Sequence, residues 1–161
     1  FVLAVGGTRL PLDRKGNRTG LETGWIGSGG GISPFEPEPT YQIEFGVPSA
    51  GRRGIPDVSL VADPATGVSV FDGQNGWKVF GGTSVSAPCW AAIIALVDQI
   101  RIVPLSDGHQ ELYNLAKGSD YAKNYRDIII GTNGPFDCLP GYDFVTGLGS
   151  PRAYHLVRGL G

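Results

Sequence analysis

Gly81-Gly82-Thr83-Ser84-Val85-Ser86-Ala87-Pro88 runs straight into Cys89-Trp90-Ala91-Ala92-Ile93-Ile94-Ala95-Leu96-Val97. Two glycines allow a tight, close-approach backbone ahead of a hydroxyl pair. Proline is tolerated in the first turn of a helix, where its missing N–H is not needed. The spacing predicts a helix from about Ser86 to Ile102, ended by Pro104 and apolar nearly all round, hence buried on most sides. Ser84 then stands at the positive end of that helix, with backbone N–H groups beside any oxyanion it forms. Two readings follow from the local pattern: an activated nucleophile, or a core helix with ordinary N-terminal hydroxyls.

Working outward, the chain has 161 residues, enough for one domain with a sizeable core. Charged residues are only 17%, while glycine (26) and proline (12) are abundant, which describes a turn-rich fold rather than a helical bundle. The net charge of −2 offers no basic surface for nucleic acid or anionic membranes. The apolar run after Pro88 is broken by Asp98 and reads as too short to span a bilayer. Two cysteines, Cys89 and Cys138, allow one bridge or two separate thiols. Asn17-Arg18-Thr19 is a glycosylation sequon, relevant only on a secretory route. With no methionine and an opening Phe-Val-Leu-Ala-Val, the sequence reads as a processed or truncated piece of something longer.

Before the serine, Phe1–Val5 reads as a buried strand of the parallel type, closed by Gly6-Gly7. The polar Leu10–Gly20 stretch reads as an exposed hairpin, with Glu22–Trp25 as a return strand. Gly27-Ser28-Gly29-Gly30-Gly31-Ile32-Ser33 lacks the Lys-Ser/Thr of a phosphate loop; its glycines are expected to permit a tight backbone crossing. Glu36 and Glu38 read as solvated. A short helix is expected at Thr40–Phe45, a strand at Ile55–Asp63, and a hairpin of Val68–Phe71 with Trp77–Phe80 around Asp72-Gly73. After the serine, helices are expected at His109–Ala116, capped by Gly118, and at Arg152–Gly159. Asp127 and Asp143 lie in loops dense in glycine and proline. Such loops can gather carboxylates and carbonyls around a hard cation, although two turn-forming aspartates would look the same.

Together these motifs resemble the sedolisin family of serine-carboxyl peptidases, in the subtilisin clan. Gly-Thr-Ser-x-Ser-x-Pro is the clan's serine signature, and Cys89-Trp90 in place of the usual subtilisin histidine points to sedolisins. The resemblance extends, in the family's order, to Phe1–Thr8, to Ser28–Ser33, to Ile55–Ser59 with Asp63–Gly67, and to Gly141–Asp143 with Thr146–Pro151. It implies that residues 1–161 are the C-terminal portion of a catalytic domain. The implied fold is α/β, the C-terminal part of a subtilisin-like fold: a mainly parallel sheet flanked by helices, with a calcium-binding C-terminal loop region. It makes Ser84 the nucleophile, with its own N–H in the oxyanion hole. It also implies one Ca²⁺ held by the Asp127 and Asp143 carboxylates and the carbonyls of Ile128, Leu139 and Gly141, a peptide or protein substrate, and a secreted or acidic, lysosome-like location.

One departure is large. The family's glutamate base, its orienting aspartate and its oxyanion aspartate all precede the Phe1–Val5 strand. They have no counterpart here: Glu44 lacks a partner aspartate one turn on, and His109 and His155 read as peripheral surface residues. The chain is therefore expected to need the N-terminal portion of the same domain and to be inactive alone. The alternative is a truncated, non-catalytic calcium-binding domain, its first core strand at an exposed sheet edge that a dimer partner covers.

Overall fold

A computed structural model describes residues 2–161. At its centre lies a three-stranded mixed sheet in the order β2-β1-β5. Strand β1 (Val5–Arg9) pairs parallel with β5 (Val58–Val61) and antiparallel with β2 (Thr23–Gly24). The first strand therefore begins at Val5 and runs through the glycines. Phe1 lies outside the described residues, and Val2 is exposed. The physical cause is contact: a Cβ on Gly6 would meet Val145 O at 2.7 Å, and one on Gly7 would meet Ala62 Cβ at 2.6 Å. The glycines are the crowded middle of the strand, not its terminator. Strand β2 covers β1 only at Thr8 and Arg9, so the Val5–Gly6 start of β1 is paired in a ladder on the β5 side alone.

The expected mainly parallel sheet is not what forms. Among the described residues β1–β5 is the one parallel pair, and the remaining sheets are two-stranded and antiparallel. Parallel pairing needs long crossovers, and Gly-Pro turns spaced this closely favour hairpins and short returns. The expected strand at Ile55–Asp63 is split at Pro56. Arg52–Ile55 forms β4, paired with β3 (Gly31–Pro37), and β5 starts after Asp57. Pro34 and Pro37 sit within β3, whose single partner leaves one edge free. The predicted hairpin is present as β6 (Val68–Asp72) and β7 (Gly76–Phe80).

Helix α1 (Thr40–Phe45) matches its expectation and closes on Gly46. Helix α2 spans Thr83–Ile100, three residues earlier than expected at its start. Its burial is a stripe, not a jacket: Ser86, Trp90, Ile93 and Val97 are buried, while Leu96 and Ile100 are exposed. That i, i+4, i+7 spacing is one helical face, and it packs on β1 and β5. Trp90 is fully buried and its Nε1–H donates to Ser59 O at 2.9 Å, tying the helix to the sheet. At 18 residues α2 has the length and hydropathy of a minimal membrane span, contrary to the shorter run expected. Its buried stripe and the indole bond tie one face to the sheet, while most of its surface is uncovered among the described residues.

Around this centre lie α3 (Gly108–Leu115), α4 (Tyr121–Asn124), the short pair β8 (Tyr125–Arg126) with β9 (Ser150–Pro151), and α5 (Ala153–Leu160). One core holds Trp90, Val97, Val58, Leu112, Tyr113, Tyr125, Leu148 and Leu156. A smaller one, Ile128, Cys138 and Val145, lies under the C-terminal loops.

The tight crossing expected of the Gly27–Ser33 stretch is realised at Gly30, where an added Cβ would lie 1.8 Å from Phe144 O. Gly30→Ala is accordingly expected to cost about 3 kcal/mol, the upper end of overpacking penalties, in urea unfolding followed by circular dichroism. A loss below about 0.5 kcal/mol would refute the close approach.

Candidate active site and cation site

Entry into α2 is fixed before the serine. The Gly82 N–H donates to Ala62 O at 2.5 Å, at the end of β5, and Gly81 is pressed against Ala62 and Pro64. Gly82 has φ 96° and ψ 162°, a backbone region essentially reserved for glycine. Thr83 opens the helix and Ser84 follows, exposed to solvent. The Ser84 N–H belongs to the first turn, where no earlier helical carbonyl is available to it. It is therefore free to meet an anion, as is the positive end of the helix. Pro88 falls in the second turn, not the first; lacking an N–H, it releases the carbonyl of Ser84 four residues back.

No Asp, Glu or His side chain among the described residues hydrogen-bonds to Ser84. Glu44 is engaged elsewhere, accepting from Lys117 Nζ at 3.2 Å and Gln110 Nε2 at 3.1 Å, and both contacts hold its carboxyl below the usual range. Glu36 is exposed and Glu38 half-buried, accepting from the Gly51 N–H. His155 is exposed as expected. His109 is only partly exposed: its side chain is 14% accessible, stacks on Tyr41 at 5.1 Å and lies 3.8 Å from Asp57. Helix α3 carries it onto α1, where aromatic stacking covers the ring.

Asp57 is fully buried and collects donors from four places. The Ala4 N–H reaches it at 2.8 Å, Arg53 Nη2 at 2.7 Å, the Tyr113 hydroxyl at 3.0 Å and Gln42 Nε2 at 3.4 Å. A second buried carboxylate, Glu22, accepts from the Thr8 and Ser150 hydroxyls at 2.7 and 3.0 Å, and Arg126 stands 3.4 Å away. Sequence reading assigned neither residue a role. An aspartate after Ile-Pro and a glutamate before a two-residue strand carry no local sign of burial.

The C-terminal loops tie Asp127 to Gly141 and Asp143 to Leu139. The Gly141 N–H donates to Asp127 Oδ2 at 3.0 Å, and the Leu139 N–H to Asp143 Oδ2 at 3.3 Å. Ile128 is buried beside them. Asp143 also caps its own turn, Oδ1 accepting from Val145 and Thr146 at 2.8 and 2.7 Å. Burial raises its carboxyl pKa despite those bonds. Asp127 Oδ1 is buried with no hydrogen-bond partner among the described residues. An orphaned carboxylate oxygen beside a second carboxylate fits a hard cation. Among the described residues no group of three or more His, Cys, Asp or Glu side chains is placed to hold a metal ion, so a cation at Asp127 and Asp143 would need backbone carbonyls as well. Cys89 and Cys138 are separate free thiols, and burial together with Asp143 pushes Cys138 up to about 12.

Gly82→Ala is expected to destabilise the chain by about 1–3 kcal/mol, because its backbone angles exclude a Cβ. Thermal unfolding checks this, and an unchanged Tm would mean that the helix entry relaxes freely.

No family model matches the chain. It is 36% identical over 179 residues to kumamolisin of Bacillus sp. (strain MN-32), covering 99% of this chain and 31% of that protein. It is 32% identical over 165 residues to sedolisin of Pseudomonas sp. (strain 101), covering 92% and 27%, and 31% identical to tripeptidyl-peptidase 1 of Dictyostelium discoideum, covering 98% and 28%. Thus it spans about a third or less of the length of these relatives. The solved structure of Pseudomonas sedolisin, a serine-carboxyl proteinase complexed with pseudo-iodotyrostatin, superposes with a TM-score of 0.86 at 28% identity, covering 98% of this chain and 45% of that one. By sequence and by fold, the chain belongs to the sedolisin family of serine-carboxyl peptidases, corresponding to a C-terminal portion.

Proposed function

We propose that this chain is the nucleophile-bearing, calcium-binding portion of an acid-acting serine-carboxyl endopeptidase of secreted or lysosome-like location. The reading rests on one observation: Ser84 stands exposed at the positive end of α2, on an entry fixed by Gly82 and Ala62. A hydroxyl there attacks a peptide carbonyl while first-turn N–H groups meet the developing oxyanion. The proton must leave to a carboxylate base. The described residues place none beside Ser84, so the base and its orienting and oxyanion carboxyls come from the N-terminal portion of the same domain.

Carboxyl chemistry sets the working pH. The base must be ionised while the oxyanion carboxyl stays protonated, so activity fails on the acid side as the base takes up a proton. It fails on the alkaline side as the donor loses one. Calcium, held by Asp127, Asp143 and the carbonyls of Ile128, Leu139 and Gly141, would neutralise the buried carboxylates and tie down the C-terminal loops. It takes no part in bond cleavage.

The test is hydrolysis of a fluorogenic peptide near pH ~4 by the chain alone and with the N-terminal portion supplied. Turnover is expected only in combination, and Ser84→Ala should lower it by a factor of about 10⁴–10⁶. Turnover by the chain alone would remove the need for an external base. None in combination would leave the non-catalytic calcium-binding domain as the better description.

Calcium at about 5 mM, above the weak end of protein affinities, should raise the Tm of the chain and EGTA should reverse it. Saturation at 100 times Kd corresponds to ~2.7 kcal/mol. Asp127→Asn keeps an acceptor for the Gly141 N–H but should abolish the shift. An equal calcium response in wild type and variant would place the ion elsewhere.

A further inference from the structure

Arginines gather around Glu22 in excess of the negative charge there. Arg126, on β8, has a mostly buried side chain, and its acidic contact is Nη1 to Glu22 Oε2 at 3.4 Å. Burial and the neighbouring Arg18 hold its guanidinium below the usual range; Glu22 opposes them, and Arg152 adds to the lowering. Two cations and one anion thus act on Arg126. Glu22 is already committed, accepting from the Thr8 and Ser150 hydroxyls at 2.7 and 3.0 Å. Among the described residues neither Arg18 nor Arg152 forms an ion pair, although the chain as a whole carries a net charge of −2.

Arg18 and Arg126 line one cavity of about 360 Å³. Much of its remaining wall is apolar: Leu12 from the loop after β1, Leu60 from β5, Ile93 from α2 and Pro151 from β9. The loop that carries Arg18 is anchored. Leu12 and Arg18 pair across it, and the Thr19 N–H donates to Pro11 O at 3.0 Å. Asp13 Oδ1 closes its turn, accepting from the Lys15 and Asn17 N–H groups, both at 2.8 Å. Apolar walls with a few placed polar groups are the usual form of a small-molecule site. A guanidinium suits a carboxylate, which it can meet with two parallel N–H bonds. Ile93 lies nine residues beyond Ser84 on α2, about 14 Å along the axis, so the cavity is separate from the nucleophile.

We propose that this cavity binds a small organic acid, its carboxylate held by Arg18 and Arg126 and its short apolar body lying over Leu12, Leu60 and Ile93. The carboxylate supplies negative charge that the arginines lack, and the body covers apolar surface between the loop and α2. The volume suits a ligand on the order of ten non-hydrogen atoms, at ~30 Å³ for each water-sized group. The site is independent of the peptidase reading, and its test needs no turnover.

The probe is 3-phenylpropionate, titrated calorimetrically into the 161-residue chain at pH ~7, where carboxylates are ionised. Its neutral isostere, 3-phenylpropionamide, isolates the charge; sodium sulfate is an anion without the apolar body. The acid is expected to bind at least about tenfold tighter than either, and about 0.5 M NaCl should weaken it by screening. Arg18→Gln, an exposed change, should cost about tenfold in affinity, the loss of a charge-assisted hydrogen bond, with the Tm unchanged. Arg126→Gln should act in the same direction, and if it fails to fold Arg18→Gln decides alone. Ser84→Ala should leave binding as it is. No binding up to about 20 mM, equal binding of acid and amide, sulfate as tight as the acid, or full affinity in Arg18→Gln would overturn the site.

Discussion

The bare backbone of Gly6 and Gly7 is the constraint on which the rest of this molecule depends. With no side chains there, β1 lets Ser28 close in, its hydroxyl accepting from the Gly7 N–H at 2.8 Å and donating to Val145 O at 2.7 Å. One buried hydroxyl thereby holds the N-terminal strand, the glycine-rich loop and the C-terminal loop together across 117 residues of sequence. The other flank of Gly7 admits Ala62 and the methyl of Thr83. The same strand therefore sets the height of the C-terminal loops on one side and the start of α2 on the other.

Buried carboxylates do the second part of the positioning. Asp57, just before β5, links to β4 through Arg53, to α1 through Gln42 and to α3 through Tyr113. Glu22 links β1 to β9 through Thr8 and Ser150. Each anion is matched by several donors, and such groups are costly to leave unpaired. Asp57 and Glu22 serve the interior, Asp127 and Asp143 lie in the C-terminal loops, and among the described residues no carboxylate hydrogen-bonds to Ser84.

Helix α2 shows how far local pattern carries and where it stops. Its glycine entry, its apolar run and its serine follow from sequence, because each depends on neighbours within a turn or two. Its burial does not. Sequence shows an all-round apolar helix, but the fold covers only the stripe from Ser86 to Val97. How much of a helix is covered depends on what packs against it, and in this chain that is the β1–β5 pair and α5. The hairpin after β5 behaves likewise: its turn and pairing were readable from Asp72-Gly73, while the exposure of Phe71 and Trp77 was not.

By itself the sequence determined the local elements. Thr40–Phe45, the Val68–Phe80 hairpin and the helix after Gly82 all follow from turn chemistry and apolar pattern. Only the tertiary structure decided that β1 starts at Val5, that the parallel pairing stops at two strands, that Pro56 divides the Ile55–Asp63 stretch, and that His109 is covered while α2 is half open. The difference is physical. Turns and caps are settled by bonds a few residues long. Strand partners, burial and the fate of Asp57 and Glu22 depend on atoms brought together from distant parts of the chain, as when Ser28 meets Val145.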